Sequence, residues 1–135
     1  MDALNGAPGV HSARFAALDR SADGPSANSP DADNNAKLLR LLKDVPPKKR
    51  TARFRCVIAL LSVHPPSSIL HPQIFDGTCE GRIDFAPRGE NGFGYDPLFV
   101  PDGFAQSFAE LGDTVKNQLS HRAKALAQLR AKLAW

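Results

Sequence analysis

The sequence predicts a mixed α/β domain with helices flanking a sheet, and three observations carry that expectation. Leu38, Leu41, Leu42 and Val45 fall at i, i+3, i+4 and i+7, the spacing of one helix face. The stretch ARFRCVIALLSV alternates instead, with Phe54, Cys56, Ile58 and Leu60 on one face of an extended chain and Arg53 and Arg55 on the other. Helical spacing returns near the C-terminus, where Leu126, Leu129 and Leu133 share a face.

Taken in order, the first twelve residues read as loop, because Gly6, Pro8 and Gly9 forbid a long helix. Leu18 to Asn35 is rich in Ser, Asp, Asn and Pro, and residues 19–33 are expected to be a flexible loop or insertion. The first helix is expected to start on Asp31 or Asp33 as cap and to stop at Pro46-Pro47. The alternating strand becomes apolar on both sides and ends at Pro65-Pro66. A second strand, Gln73 to Phe85, carries Gly77 and Gly81 as expected bulges or kinks, and should pair antiparallel with the first. Pro97 to Val100 is a third extended piece. Ser107-Phe108-Ala109-Glu110 fits a capping box for a short helix ended by Gly112, and Ser120 is the expected N-cap of the last helix.

A chain of 135 residues fits one domain, and near this size about two-thirds of the unfolded surface can be buried. The formal net charge of +3 suits phosphate-bearing ligands but is too small to argue for nucleic acid. Lys48-Lys49-Arg50, the one basic run, reads as a solvated turn. Cys56 and Cys79 lack CxxC spacing and read as reduced core residues. MDALNGAPGV has neither a basic nor an apolar leader region, and no stretch approaches the ~20 apolar residues of a membrane span. A cytoplasmic protein with no membrane partner is expected.

Two stretches carry candidate chemistry. In GENGFGYDPLF, Gly92 and Gly94 flank Phe93 and release the backbone, and on an extended segment Phe93 and Tyr95 would lie on one side. Two such rings suit stacking on a base, and Asp96, restricted by Pro97, would accept from a base N–H. A tight turn with buried aromatics accounts for the same residues, so both readings stand. In KNQLSHR, Ser120 as cap places His121 and Arg122 in the first helical turn, whose positive end attracts anions and carbonyl oxygens. Lys116 lies one turn earlier; taken singly, each of these is equally a solvated side chain. No nucleophile motif or Walker loop is present. His11, His64, His71 and His121 lack zinc-ligand spacing, and no carboxylate pair suits Mg²⁺.

Together LNGAPGVHSARFA, ARFRCVIAL, GTCEGRI, PRGENGFGYDPLFVP, SFAEL and VKNQLSHRAKAL resemble the C-terminal two-thirds of the inosine/xanthosine triphosphate pyrophosphatases, from Asp2 to about Leu129. The polar stretch around Ala22 to Asp31 interrupts the likeness. FGYDP followed by SHR at this spacing is the specific part. The resemblance implies a long mixed sheet flanked by helices, usually in a homodimer. It implies hydrolysis of deaminated purine nucleoside triphosphates (ITP, dITP, XTP) to monophosphate and pyrophosphate, with Mg²⁺. It assigns substrate binding to Phe93, Gly94, Tyr95, Asp96, Lys116, Ser120, His121 and Arg122. A donor such as Arg122 facing the purine 6-position would favour a 6-oxo over a 6-amino group.

The family pattern also has a first strand with a T/S-x-N-x-x-K phosphate loop, a metal-ligand Glu, and an Asp-Asp-Ser-Gly segment just before DALNGAPG. None of these occurs in the sequence. The expectation is therefore an N-terminally truncated chain with no identifiable catalytic residue, no metal ligand and no phosphate-binding lobe. It is part of an active enzyme, a nucleotide-binding or interaction module without turnover, or a non-functional fragment unstable alone. General-base help is worth about 10²–10⁴-fold, so the chain alone is expected to have little activity.

Overall fold

A computed structural model describes residues 1–19, 27–61 and 71–133. The chain opens with short 3-10 turns at Asp2–Leu4, Gly9–Arg14 and Ala16–Asp19. Helix α1 spans Asp31–Leu41, strand β1 Thr51–Leu60, strand β2 Gln73–Ile83 and strand β3 Phe99–Pro101. Helices α2, Phe108–Leu119, and α3, His121–Leu133, follow. Residues 20–26 of the expected 19–33 loop, and the Pro65-Pro66 strand end, lie outside the described residues.

The mixed α/β expectation holds, and the described strands form one sheet in the order β1-β2-β3. β2 and β3 are antiparallel, pairing Gly81 with Pro101 and Ile83 with Phe99. β1 and β2 also run antiparallel. The Ile83 N–H donates to the Arg50 carbonyl, Arg53 meets Glu80 and Arg55 meets Asp76, so β2 numbers fall as β1 numbers rise. β1 alternates as predicted, with Ala52, Phe54, Cys56, Ile58 and Leu60 turned inward and Val57 and Ala59 exposed.

The chain divides into two compact units, 1–53 with 80–113, and 54–79 with 114–135. In the first, Phe15, Leu38, Leu42, Ile83, Leu98, Phe99, Val100 and Phe108 form the core, with the Phe99 and Phe108 rings stacked at 5.4 Å. In the second, Phe75, Cys79 and Ala125 are buried. Both cysteines are free thiols.

Four local expectations are corrected. Neither Asp31 nor Asp33 caps α1: Pro30, in extended conformation, precedes the helix, and its carbonyl accepts from Asp33 and Asn34. The buried stripe of α1 is Asn34, Leu38 and Leu42, while Leu41 is exposed. Arg50 is not solvated but 2% exposed. Its guanidinium donates to the carbonyls of Leu42 (2.7 Å), Val45, Ile83 and Asp84, and lies 4.2 Å over the Phe85 ring. A charge is tolerated there because the carbonyls beyond α1 need donors. Gly77 and Gly81 do not interrupt β2. A Cβ at Gly77 would overlap the His121 carbonyl of α3, and one at Gly81 the Val100 carbonyl, so these glycines permit close approach.

The capping box forms as read. Ser107 N–H donates to Glu110 Oε2 at 2.8 Å, and Glu110 N–H to Ser107 Oγ at 3.2 Å. Gly112 (φ 77°, ψ 178°) breaks the helical path, and helix resumes beyond it. Ser120 caps α3, its Oγ accepting the Ala123 N–H. α3 packs through Ala125, while Leu126 and Leu133 of the expected apolar face are exposed. Lys124 and Gln128 donate to the carbonyls of Thr78 and Asp76, tying α3 to β2 within the second unit.

Candidate functional site

The sequence-nominated residues fall in both units: Phe93, Gly94, Tyr95 and Asp96 in the first, Lys116, Ser120, His121 and Arg122 in the second. In the first unit, residues 84–98 form a loop closed at its base by Asp84 N–H to Leu98 O and Arg88 N–H to Pro97 O, both 2.8 Å. The start of α2 grips one side: Ser107 Oγ donates to the Arg88 carbonyl, and Asn91 Nδ2 donates to the Ala109 carbonyl. Arg88 adds ion pairs to Asp84 and Glu110.

At the loop tip the backbone is a turn, since the N–H groups of Leu98 and Phe99 both donate to the Tyr95 carbonyl. The extended segment expected for Phe93 and Tyr95 is therefore absent, and with it the period-two reason for placing both rings on one side. Phe93 is 55% exposed. Tyr95 is half-buried, with its hydroxyl donating to the Ser12 carbonyl at 2.7 Å. Burial, aided by the Asp31 charge, pushes its phenol up to about 12.

Asp96 is 3% exposed, and its Oδ2 accepts the Phe93 N–H at 2.9 Å. It therefore pins the turn that carries Phe93. Gly92 (φ 79°) is required beside it, because a Cβ there would overlap that same oxygen.

In the second unit, Ser120 is buried with its hydroxyl engaged as cap. His121 follows as the first residue of α3, its ring stacked on Phe54 with centroids 5.0 Å apart. That contact fixes the imidazole orientation. Arg122 is exposed in the same first turn, and Lys116 is half-buried near the end of α2. Among the described residues no group of three or more His, Cys, Asp or Glu side chains is placed to hold a metal ion. The described residues by themselves do not fit a Mg²⁺ site.

Sequence reasoning missed the site contacts made by Asp31, Asn34, Asn35 and Phe54. Asn34 is buried: its Oδ1 accepts the Ala16 N–H at 2.8 Å and its Nδ2 donates to the Ala13 carbonyl. The available signal was an Asp-x-Asp-Asn-Asn run opening an apolar-periodic segment, which reads as solvated polar chain until the helix is placed.

The Ham1 family model matches residues 1–132, nearly the whole chain. The chain belongs to the Ham1 family. This Ham1-family chain is 49% identical over 129 residues to the dITP/XTP pyrophosphatase of Opitutus terrae, covering 96% of its own length and 57% of that protein. It is 51% identical to the protein of the same name from Pseudomonas syringae pv. tomato, covering 98% of the chain and 61% of that protein. Among solved structures, the Staphylococcus aureus Ham1 protein superposes with a TM-score of 0.79 at 37% identity, over 98% of the chain and 61% of its own. A HAM1 protein from Coxiella burnetii gives 0.78 at 39%, with the same coverage of both chains. The Ham1-family chain thus spans about three-fifths of the length of the relatives it matches.

Proposed function

We propose that this chain recognises deaminated purine nucleoside triphosphates and serves their hydrolysis to monophosphate and pyrophosphate, a reading supported by its relatives' name, dITP/XTP pyrophosphatase. The observation that carries the reading is the exposed Phe93 ring on a turn pinned by Asp96 and Gly92, in a chain about half identical to dITP/XTP pyrophosphatases. Phe93 stacks on the purine, because a ring face binds any base face. Tyr95 braces the turn through Ser12, and Gly94 sets its path. The second unit has an anion-attracting group of its own, the α3 N-terminal turn at Ser120 and His121 with Arg122 and Lys116, whose donors suit the oxygens of a nucleotide. A donor meeting a 6-oxo group leaves a 6-amino group unpaired, which rejects adenosine triphosphate more strongly than an apolar pocket would. Turnover requires Mg²⁺ held by ligands other than the described residues, a homodimer is the working form, and the cytoplasm is the compartment of such a nucleotide-pool enzyme.

Titration calorimetry with inosine and adenosine triphosphates tests recognition, and pyrophosphate release with Mg²⁺ or excess chelator tests turnover. Binding of the inosine nucleotide at least tenfold tighter than the adenosine nucleotide is expected, and equal affinities overturn the reading. Selective binding without pyrophosphate release at any Mg²⁺ concentration would make the chain a nucleotide-binding module.

A further inference from the structure

Gly94 lies between the two aromatic residues of the loop, and one turn of α1 takes both of its backbone groups. Asp31 Oδ2 accepts the Gly94 N–H at 2.7 Å, and Asn35 Nδ2 donates to the Gly94 carbonyl at 3.0 Å. Residues four apart on a helix share a face, so one rigid element holds the residue from both sides. The adjacent Asn34 fastens the segment that receives Tyr95, through Ala13 and Ala16. Helix formation does not call for Asn at position 35, where many residues have higher propensity. What Asn35 adds is its side-chain donation to Gly94, which an apolar helix former could not make.

We infer that Asp31 and Asn35 are positioning residues for base recognition, clamping Gly94 so that Phe93 is presented on a fixed backbone. The inference rests on the proposed nucleotide reading. A ring already ordered before binding loses less conformational freedom when a base stacks on it. Neither residue needs to touch the ligand.

The test is Asn35→Ala in the 135-residue chain, a substitution that changes no charge. Affinity for inosine triphosphate is expected to fall roughly threefold to tenfold, the worth of one hydrogen bond. Affinity for inorganic triphosphate, which has no base, should stay unchanged. Tyr95 is the only tyrosine, so ultraviolet titration reads the loop directly, and its pKa should drop from about 12 as the turn lifts away. Unchanged nucleotide affinity with unchanged Tyr95 titration overturns the inference, as does an equal loss of both ligands, which marks general damage. If Asn35→Ala unfolds by circular dichroism, Asp31→Ala and Asp31→Asn decide. The alanine variant should weaken inosine triphosphate, and the asparagine variant, which keeps an acceptor, should not; equal behaviour overturns the clamp. Failure of the wild-type chain to bind inosine triphosphate overturns the nucleotide reading itself. The Asn35→Ala titration of Tyr95 then judges the clamp alone, a drop upholding it and no change overturning it.

Discussion

Tyr95 is half-buried with its hydroxyl on the Ser12 carbonyl, and its phenol pKa of about 12 lies above the roughly 10 of an unfolded chain. The fold therefore holds the phenolic proton more tightly than the unfolded state does. That contribution to stability is complete below about pH 10 and is lost as pH rises towards 12. Urea denaturation across this window should show a decline that Tyr95→Phe flattens relative to wild type. At pH 8 the same variant should lose about 1 kcal/mol through the missing hydrogen bond. Asp96 carries a related lesson at residue scale. Its carboxylate, next to Pro97, is buried and accepts the Phe93 N–H through Oδ2, so it has a structural partner within its own loop. Sequence shows which groups can hydrogen-bond; whether the nearest donor is a ligand or the backbone three residues away depends on turn geometry.

At the scale of elements, the local signals were legible where one short segment decides the outcome. The Ser107–Glu110 capping box, the Ser120 cap, the Gly112 break and the alternation of β1 are set by neighbours within a turn or along a strand, and all appear in the structure. Ser107 does more than cap, since its hydroxyl also donates to the Arg88 carbonyl and so ties α2 to the aromatic loop. Ser107→Ala is expected to cost about 1–2 kcal/mol by chemical denaturation, and Ser107→Thr, which keeps the hydroxyl, to recover most of it. Arg50 and Gly77 were misread for one reason. Each is explained by an element distant in sequence, the carbonyls of Leu42, Val45, Ile83 and Asp84 for Arg50, and the α3 backbone for Gly77. Charge and glycine content alone point to a solvated turn and a bulge.

At the scale of the whole molecule, the chain carries a formal net charge of +3 and a pI near 9.1, a mild attraction for a polyanionic triphosphate. Raising NaCl from 50 to 500 mM shortens the screening length from about 14 to about 4 Å. Calorimetry should show inosine triphosphate affinity falling severalfold over that range, whereas inosine, which carries no phosphate, should bind equally at both. No helix among the described residues is long and apolar enough to cross a membrane.

By itself the sequence determined the mixed α/β class, the positions of most elements and, through FGYDP and SHR, the family, because periodicity, caps and short motifs are local properties. Only the tertiary structure decided how the aromatic loop is held. Asp31 and Asn35 on Gly94 and Ser12 on Tyr95 meet through turns and a helix that bring together residues 59 to 83 positions apart. Directed hydrogen bonds over such separations leave no periodic trace in the chain. The stretch GENGFGYDPLF therefore announces a loop bearing two rings, and the fold assigns them different tasks, Tyr95 to brace the turn and Phe93 to remain exposed.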